Sequence, residues 1–136
     1  MAYNYNSNSK PNSNSPTLIG SEPSTIKWTI VRGDDASAIF EWYEDDSVTL
    51  KNTSSWTYAA SAYDPKTKTK YALICTAGTG KVTVAIPNTT SALWGTGSSA
   101  IVAELNFDLQ ITIAGKKWTP ILGNIIVRSD ITGSSL

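Results

Sequence analysis

Residues Ile101 to Ile113 read IVAELNFDLQITI, and every second residue of this run is apolar. The apolar positions are Ile101, Ala103, Leu105, Phe107, Leu109, Ile111 and Ile113. Most positions between them are polar, among them Glu104, Asn106 and Asp108. Alternation with a period of two is typical of a β-strand with one buried face, whereas a helix would scatter the apolar groups round its axis. The pattern predicts a long strand against which shorter strands register, with its odd-numbered residues facing the core.

Shorter segments rich in β-branched and aromatic residues surround this run. They cover residues 25–31, 36–43, 56–63, 71–76, 81–86 and 118–131. Turn residues such as Asp64-Pro65 and Ala114-Gly115 separate them, and residues 87–95 combine capping residues with a terminal glycine, which predicts one helical turn. About eight short strands without a long helix predict an all-β fold, a single antiparallel β-sandwich with one short helical turn.

Residues 1–25 are dominated by Asn, Ser, Pro and Tyr, with few aliphatic side chains before Leu18 and Ile19. Such a composition buries too little apolar surface to offset the entropy of ordering, so we expect an extended N-terminal arm. Two interpretations stay open: a flexible tail, or an arm that orders across a neighbouring subunit through groups such as Tyr3 and Tyr5. We expect residues 26–132 to form one sandwich domain and residues 133–136 a C-terminal tail.

The charge balance argues against some classes of partner. Lys and Arg together number 11, as do Asp and Glu, so the chain is formally neutral. No overall field therefore attracts nucleic acid or an anionic membrane surface. The N-terminal stretch lacks the apolar core of a signal peptide, and no apolar run reaches the length of a membrane span. We expect a soluble protein, made in a cytoplasm, that meets its partners by shape and hydrogen bonds.

The composition includes few of the residue types on which catalysis usually depends. The chain has no histidine, which removes the usual general base and the commonest metal ligand. Its single cysteine, Cys75, lies in an apolar run where a small buried hydrophobe is expected. Zinc and iron–sulfur sites need more cysteine or histidine ligands than the chain contains. We therefore predict that the protein is not an enzyme and has no catalytic residues, no cofactor and no metal site.

Two acidic groups are the remaining candidates for chemistry. They are Asp34 with Asp35, and Glu44 with Asp45 and Asp46. Carboxylates close together can hydrolyse glycosides or hold calcium, since both tasks need neighbouring oxygen atoms. Charged residues more often simply occupy solvated turns, and this is the interpretation we favour here.

Two short motifs match known signatures in part. Arg32-Gly33-Asp34 is the integrin-binding tripeptide, but the strand pattern on both sides accounts for it. The run Gly78-Thr79-Gly80-Lys81 has some of the residues of a phosphate-binding loop but lacks its full spacing and the helix that should follow. We predict that both are turns.

The five tryptophans divide by their sequence context. Trp28, Trp42 and Trp56 lie within strand patterns, where packing in the core is the more frequent role. Trp94 and Trp118 lie near turns, and we expect them to be exposed. Exposed aromatic rings can stack on sugars or on the apolar surface of another protein. The predicted protein-interface residues are Tyr3, Tyr5, Leu18, Ile19, Trp94 and Trp118.

Several short segments, taken in order, carry a resemblance to a known family. They are residues 30–34, Phe40 and Trp42, residues 80–84, the turn at residues 90–95, residues 107–109, and the closing run at residues 123–132. In order and spacing they resemble the small β-sandwich domain of tailed-phage virion proteins. The chain is similar in this respect to the N-terminal domain of baseplate upper proteins, which anchors receptor-binding parts.

The resemblance implies a non-enzymatic adaptor that is present in several copies and links a phage tail or baseplate to fibres. Its partners would be other virion structural proteins and copies of itself, without nucleic acid or membrane. Its location would be the virion, at the tail or baseplate rather than on the capsid surface, after synthesis in the host bacterial cytoplasm. A capsid decoration or cement protein is the nearest alternative, and a carbohydrate-binding sandwich module is an alternative of another class that we do not favour.

Overall fold

In a computed structural model of the protein, residues 2–6 and 22–132 are described, the first of these ranges by its backbone alone. The elements are β1 (Ala2–Asn6), β2 (Ser24–Val31), β3 (Ala36–Tyr43), β4 (Thr57–Asp64), β5 (Thr69–Gly78), β6 (Lys81–Ile86), α1 (Asn88–Ser91), β7 (Ile101–Ile113) and β8 (Lys116–Arg128). The predicted all-β fold with one helical turn is confirmed. Leu18, Ile19 and the predicted tail at residues 133–136 lie outside the described residues.

The strands form one sheet in the order β1-β3-β6-β5-β4-β7-β8-β2. β5 joins two parts of this sheet, because it pairs with β4 up to Leu73 and with β6 from Ile74 onward. We call β1, β3 and β6 the β3 half, and β4, β7, β8 and β2 the β7 half. The single sheet is nearly closed into a barrel, so that its two halves pack face to face. Between them the rings of Phe40 and Phe107 are stacked at a centroid distance of 6.2 Å.

β7 is the central strand of its half, with β4 on one side and β8 on the other. The alternation predicts its buried residues correctly over most of its length, at Leu105, Phe107, Leu109 and Ile111. The prediction is wrong at the start of the strand, where Ile101 is 52% exposed. The register against β8 shifts between Ile101 and Ala103, and a bulge of this kind turns the preceding residue away from the core.

The outermost strand of each half runs parallel to its neighbour, β1 beside β3 and β2 beside β8. The inner pairings are antiparallel, as predicted. Tight hairpins impose antiparallel pairing, but strands joined by long connections are free of that constraint. β2 and β8 come from distant parts of the chain, and residues 7–23 separate β1 from β2. Hydrophobic periodicity carries no information on strand direction, so these parallel edges could not be predicted.

Tryptophan side chains fill much of the space between the halves. The core prediction is confirmed for Trp28, Trp42 and Trp56. The expectation that Trp94 and Trp118 are exposed is wrong, since they are 0% and 3% exposed. Trp118 packs edge-on against Trp56 at 6.3 Å, and Trp94 packs edge-on against Tyr71 of β5 at 5.5 Å. The segments next to these two turns therefore fold inward over the ends of the core.

Candidate interaction surfaces

The predicted interface residues fall in different parts of the molecule. Tyr3 and Tyr5 belong to β1, where the backbone register sets them beside Phe40 and Trp42 of β3. The buried side chains of Trp94 and Trp118 are not available to a partner or to a sugar ring. Contact surfaces on this chain must therefore be sought among its exposed side chains and its strand edges.

The Arg32-Gly33-Asp34 turn between β2 and β3 is held by Ser91, a fully buried residue of α1. The N–H of Gly33 donates to Ser91 Oγ at 3.0 Å, and Ser91 Oγ donates to the carbonyl of Asp34 at 2.8 Å. Arg32 Nη1 donates to the carbonyl of Gly95 at 2.9 Å. The tripeptide is thus a structural turn, as its strand context predicts.

Ser91→Ala is expected to lower the free energy of unfolding by about 1–3 kcal/mol, because the partly buried N–H of Gly33 loses its acceptor. Urea unfolding followed by tryptophan fluorescence measures the loss. Thr89→Ala, on the exposed side of the same helix, is the control and should change the free energy by less than about 0.5 kcal/mol. A Ser91→Ala variant as stable as the wild type would contradict the role assigned to this hydroxyl.

The acidic residues that were candidates for chemistry have structural roles in and near turns. Asp35 Oδ1 accepts a hydrogen bond from the N–H of Asn88 at the start of α1, at 2.7 Å. Glu44 Oε1 forms an ion pair with Nζ of the buried Lys51 at 3.1 Å. In the part of the chain that the structure describes, no group of three His, Cys, Asp or Glu side chains could hold a metal ion.

Asp46 caps the turn between β3 and the chain that follows. The hydroxyl of Thr49 donates to Asp46 Oδ2 at 2.6 Å, and the N–H groups of Thr49 and Val48 donate to Oδ1. These bonds lower the pKa of Asp46 from its usual value of 3.8, the Thr49 hydroxyl most strongly. Because the pKa is lower in the folded state, the ionised carboxylate stabilises the fold above the unfolded pKa, and this contribution is lost as the pH falls through the folded pKa.

An NMR titration of the Asp46 carboxyl carbon is expected to give a pKa below 3.8, the usual value for this group. Thr49→Val should raise that pKa, since it removes the hydroxyl donor and leaves both backbone donors in place. Asp130, which lies outside this turn, reports any general effect of the substitution. An Asp46 pKa that is the same in Thr49→Val and in the wild type would show that the hydroxyl is not its main determinant.

A groove of about 580 Å³ crosses the outer face of the β7 half. The strand register sets the side chains of this face in two adjacent rows. The first row is Lys27, Asn124, Asn106, Tyr63 and Lys70, from β2 across to β5. The second row is Thr25, Leu122, Asp108 and Ser61. The same alternation that buries Phe107 therefore directs the polar side chains of these rows, except Lys27, into this outer groove together with Tyr63 and Leu122.

The groove combines an apolar ring with fixed polar groups. The side chain of Tyr63 is 39% exposed, and Asn124 Nδ2 donates to Asn106 Oδ1 at 3.3 Å. Partial burial raises the pKa of Asp108, and the positive charge of Lys70 acts in the opposite direction. The groove thus holds a carboxylate and an ammonium group, which carry opposite charges.

A second groove, of about 530 Å³, lies between the β4–β5 turn and the start of β7. Leu93 is 65% exposed here and lies near Ile101, which is 52% exposed. We call Pro65, Leu93, Ile101 and Val102 the Leu93 patch. Lys66 and Glu104 are also part of this groove, so the apolar patch has polar neighbours. An apolar centre beside charged residues is typical of a protein contact surface.

Comparisons with known proteins give distant structural likenesses. The N-terminal domain of phage TP901-1 ORF48 is similar, with a TM-score of 0.44, 12% identity and coverage of 93% of this chain and 96% of that one. The bradyzoite-specific antigen BSR4 of Toxoplasma gondii has a TM-score of 0.36 and 12% identity, over 81% of this chain and 44% of the antigen. Neither likeness assigns a function.

The sequence itself gives no match in two further comparisons. No protein-family model matches the chain, and no curated protein matches it. Among the described residues, no helix has the length and apolar character needed to cross a membrane.

Proposed function

We propose that the protein is a non-enzymatic structural component of a phage virion, an adaptor that links the tail or baseplate to fibres through protein–protein contacts. The ordered series of segments that resembles baseplate sandwich domains, from residues 30–34 to residues 123–132, supports this proposal. The use of Asp35, Glu44, Asp46 and Ser91 in structural hydrogen bonds and ion pairs supports a role without catalysis.

The observation that carries the proposal is the edge strand β1. Its backbone runs parallel to β3, from Ala2 beside Ile39 to Asn6 beside Tyr43. Strand addition of this kind is a recurring mode of protein recognition, because backbone N–H and C=O groups supply the affinity. Residues 7–23 separate β1 from β2 in the sequence, so no tight hairpin forces β1 to pair within its own subunit.

Strand exchange explains how such a small neutral domain could hold an assembly together. In the assembled state β1 of one copy occupies the β3 edge of the next, and the connection at residues 7–23 keeps the two copies tethered. A tether of this kind raises the effective concentration of every other contact between the same two subunits. The Leu93 patch lies apart from β1 and β3 and supplies a second contact, to another virion protein.

The decisive test removes the backbone donors of β1. Alternate residues of a strand direct their N–H groups to the same neighbour, so one of Asn4 and Tyr5 donates to β3. The double variant Asn4→Pro, Tyr5→Pro removes both donors and is expected to reduce incorporation into particles at least about tenfold. The matched control Asn4→Ala, Tyr5→Ala keeps both N–H groups and should be incorporated normally. Immunoblots of purified particles, made where each variant replaces the wild-type chain, measure the difference.

Normal incorporation of the double-proline variant would contradict the proposal that β1 joins subunits. An equal loss in the proline and alanine variants would contradict strand pairing as its mode, since the alanine variant keeps every backbone donor. Circular dichroism of both purified variants establishes that β2 to β8 remain folded. A capsid decoration protein would need the same structural features. The position of the chain on the particle is therefore what distinguishes this alternative from a tail adaptor.

A further inference from the structure

We propose that the outer groove of the β7 half is a binding site for a neutral saccharide. This inference goes beyond the adaptor role, because the groove lies away from β1 and from the Leu93 patch. Its volume of about 580 Å³ lies within the range of small-molecule sites, which is roughly 300–1,000 Å³. The register of five neighbouring strands fixes the positions of its lining side chains, so the site needs little rearrangement to bind.

Tyr63 supplies the flat surface that a sugar ring requires. It is the aromatic residue of the first row, and its side chain is 39% exposed in the groove. The face of a phenol ring is apolar enough to stack against the C–H groups of a pyranose, while its hydroxyl stays available to water or ligand. Leu122 of β8, which is also 39% exposed, adds further apolar surface to the groove.

The polar side chains of the groove match sugar hydroxyls, which both donate and accept hydrogen bonds. Asn106 and Asn124 hold each other in place through one hydrogen bond of 3.3 Å. Each amide has two donors and two acceptor lone pairs, so that bond leaves capacity for ligand hydroxyls on both residues. Asp108 is exposed in the groove, so its carboxylate oxygens can accept hydrogen bonds from ligand hydroxyls.

Charge and position favour a saccharide over a phosphate or a peptide. Lys70 and Asp108 give the lining one positive and one negative group, which cancel, and Lys27 of the first row lies outside the lining. Its centre lies on β7 and β8, inside the sheet, where the backbone groups already pair with neighbouring strands. A peptide strand could therefore not extend the sheet at this place, and recognition must use side chains.

The test is an array of immobilised oligosaccharides built from glucose, galactose, rhamnose and N-acetylglucosamine, with sulfated and sialylated sugars included. The wild-type chain is expected to bind one or more of the neutral sugars. Tyr63→Ala is expected to weaken that binding at least about tenfold, as measured by titration calorimetry with the sugar identified. Tyr43→Ala is the matched control, because Tyr43 lies on the β3 half and outside the groove.

Three outcomes would overturn the proposal: no binding of the wild type to any sugar on the array, binding to anionic sugars alone, or equal affinity of Tyr63→Ala and the wild type. Asn106→Ala gives a second test, because it removes an amide from the groove and keeps the tyrosine. Both groove variants should still be incorporated into particles normally, so a failure of saccharide binding and a failure of the adaptor proposal can be told apart.

Discussion

Gly123→Ala is expected to destabilise the domain by about 3 kcal/mol or more, which is a large part of the stability of a small domain. Gly123 lies on β8 beside Ile26 of β2. A Cβ atom at this position would collide with the carbonyl oxygen of Ile26 and would lie 2.8 Å from its carbonyl carbon. These are backbone atoms of a paired strand, so the collision is relieved only by separating β2 from β8.

Urea unfolding followed by tryptophan fluorescence measures this effect, because Trp28 of β2 is buried. Gly78→Ala is the matched control, since Gly78 also lies in a strand and a Cβ there would meet only the flexible side chain of Lys81 at 3.0 Å. We expect the control to lose less than about 1 kcal/mol. Similar stabilities of Gly123→Ala and Gly78→Ala would show that β2 does not approach β8 as closely as described.

Phe107→Ala is expected to lower the free energy of unfolding by about 3–5 kcal/mol, the usual loss when a buried phenylalanine leaves a cavity. Phe107 is 2% exposed and joins the two halves of the sheet. Its ring is stacked on Phe40 at 6.2 Å and meets Trp28 edge-on at 5.8 Å. Removing it therefore breaks contacts with β3 and β2 together.

Leu122→Ala is the control for Phe107→Ala, because Leu122 lies on the outer face of the same half and is 39% exposed. We expect it to change the stability by less than about 1 kcal/mol. Differential scanning calorimetry on both variants gives the comparison. A Phe107→Ala variant no less stable than Leu122→Ala would contradict the packing of the two halves across this ring.

The inward faces of the strands could be read from the sequence wherever alternation was regular. Phe107 and Leu109 of β7 and Trp28 of β2 are buried as the period of two predicts. The alternation fails at Ile101, because the bulge at the start of β7 inserts a residue and so changes the face to which the Ile101 side chain points. The amino-acid composition gives no sign of such an insertion. Parallel pairing of the edge strands could not be predicted either, since it depends on the path of long connections.

The burial of Trp94 and Trp118 could not be predicted from the sequence, for a different reason. Both lie near turn residues, which favours exposure, but each is covered by an aromatic residue far away in sequence. Burial of this kind depends on which segments meet at the ends of the sandwich. Ser91 was missed for the same reason, because its partners Gly33 and Asp34 lie 58 and 57 residues away.

The outer groove of the β7 half illustrates what strand order adds to a sequence pattern. Asn106 and Asp108 were visible as polar residues on the outer face of the long strand. Their neighbours Asn124, Tyr63 and Lys70 belong to other strands, and only the register brings them into the same rows. The sequence suggests exposed tryptophans and tyrosines as a sugar platform but favours Trp94 and Trp118 as the exposed rings, whereas the exposed ring of this face is Tyr63.

The role proposed for this chain is that of a structural part of a phage tail or baseplate. Immunogold labelling of intact virus particles from the source of the protein, with an antibody raised against the folded chain, tests it most directly. The adaptor proposal predicts gold particles at the tail end in electron micrographs. Label distributed over the head would identify a decoration protein instead, and absence of label from every particle would contradict a place in the virion.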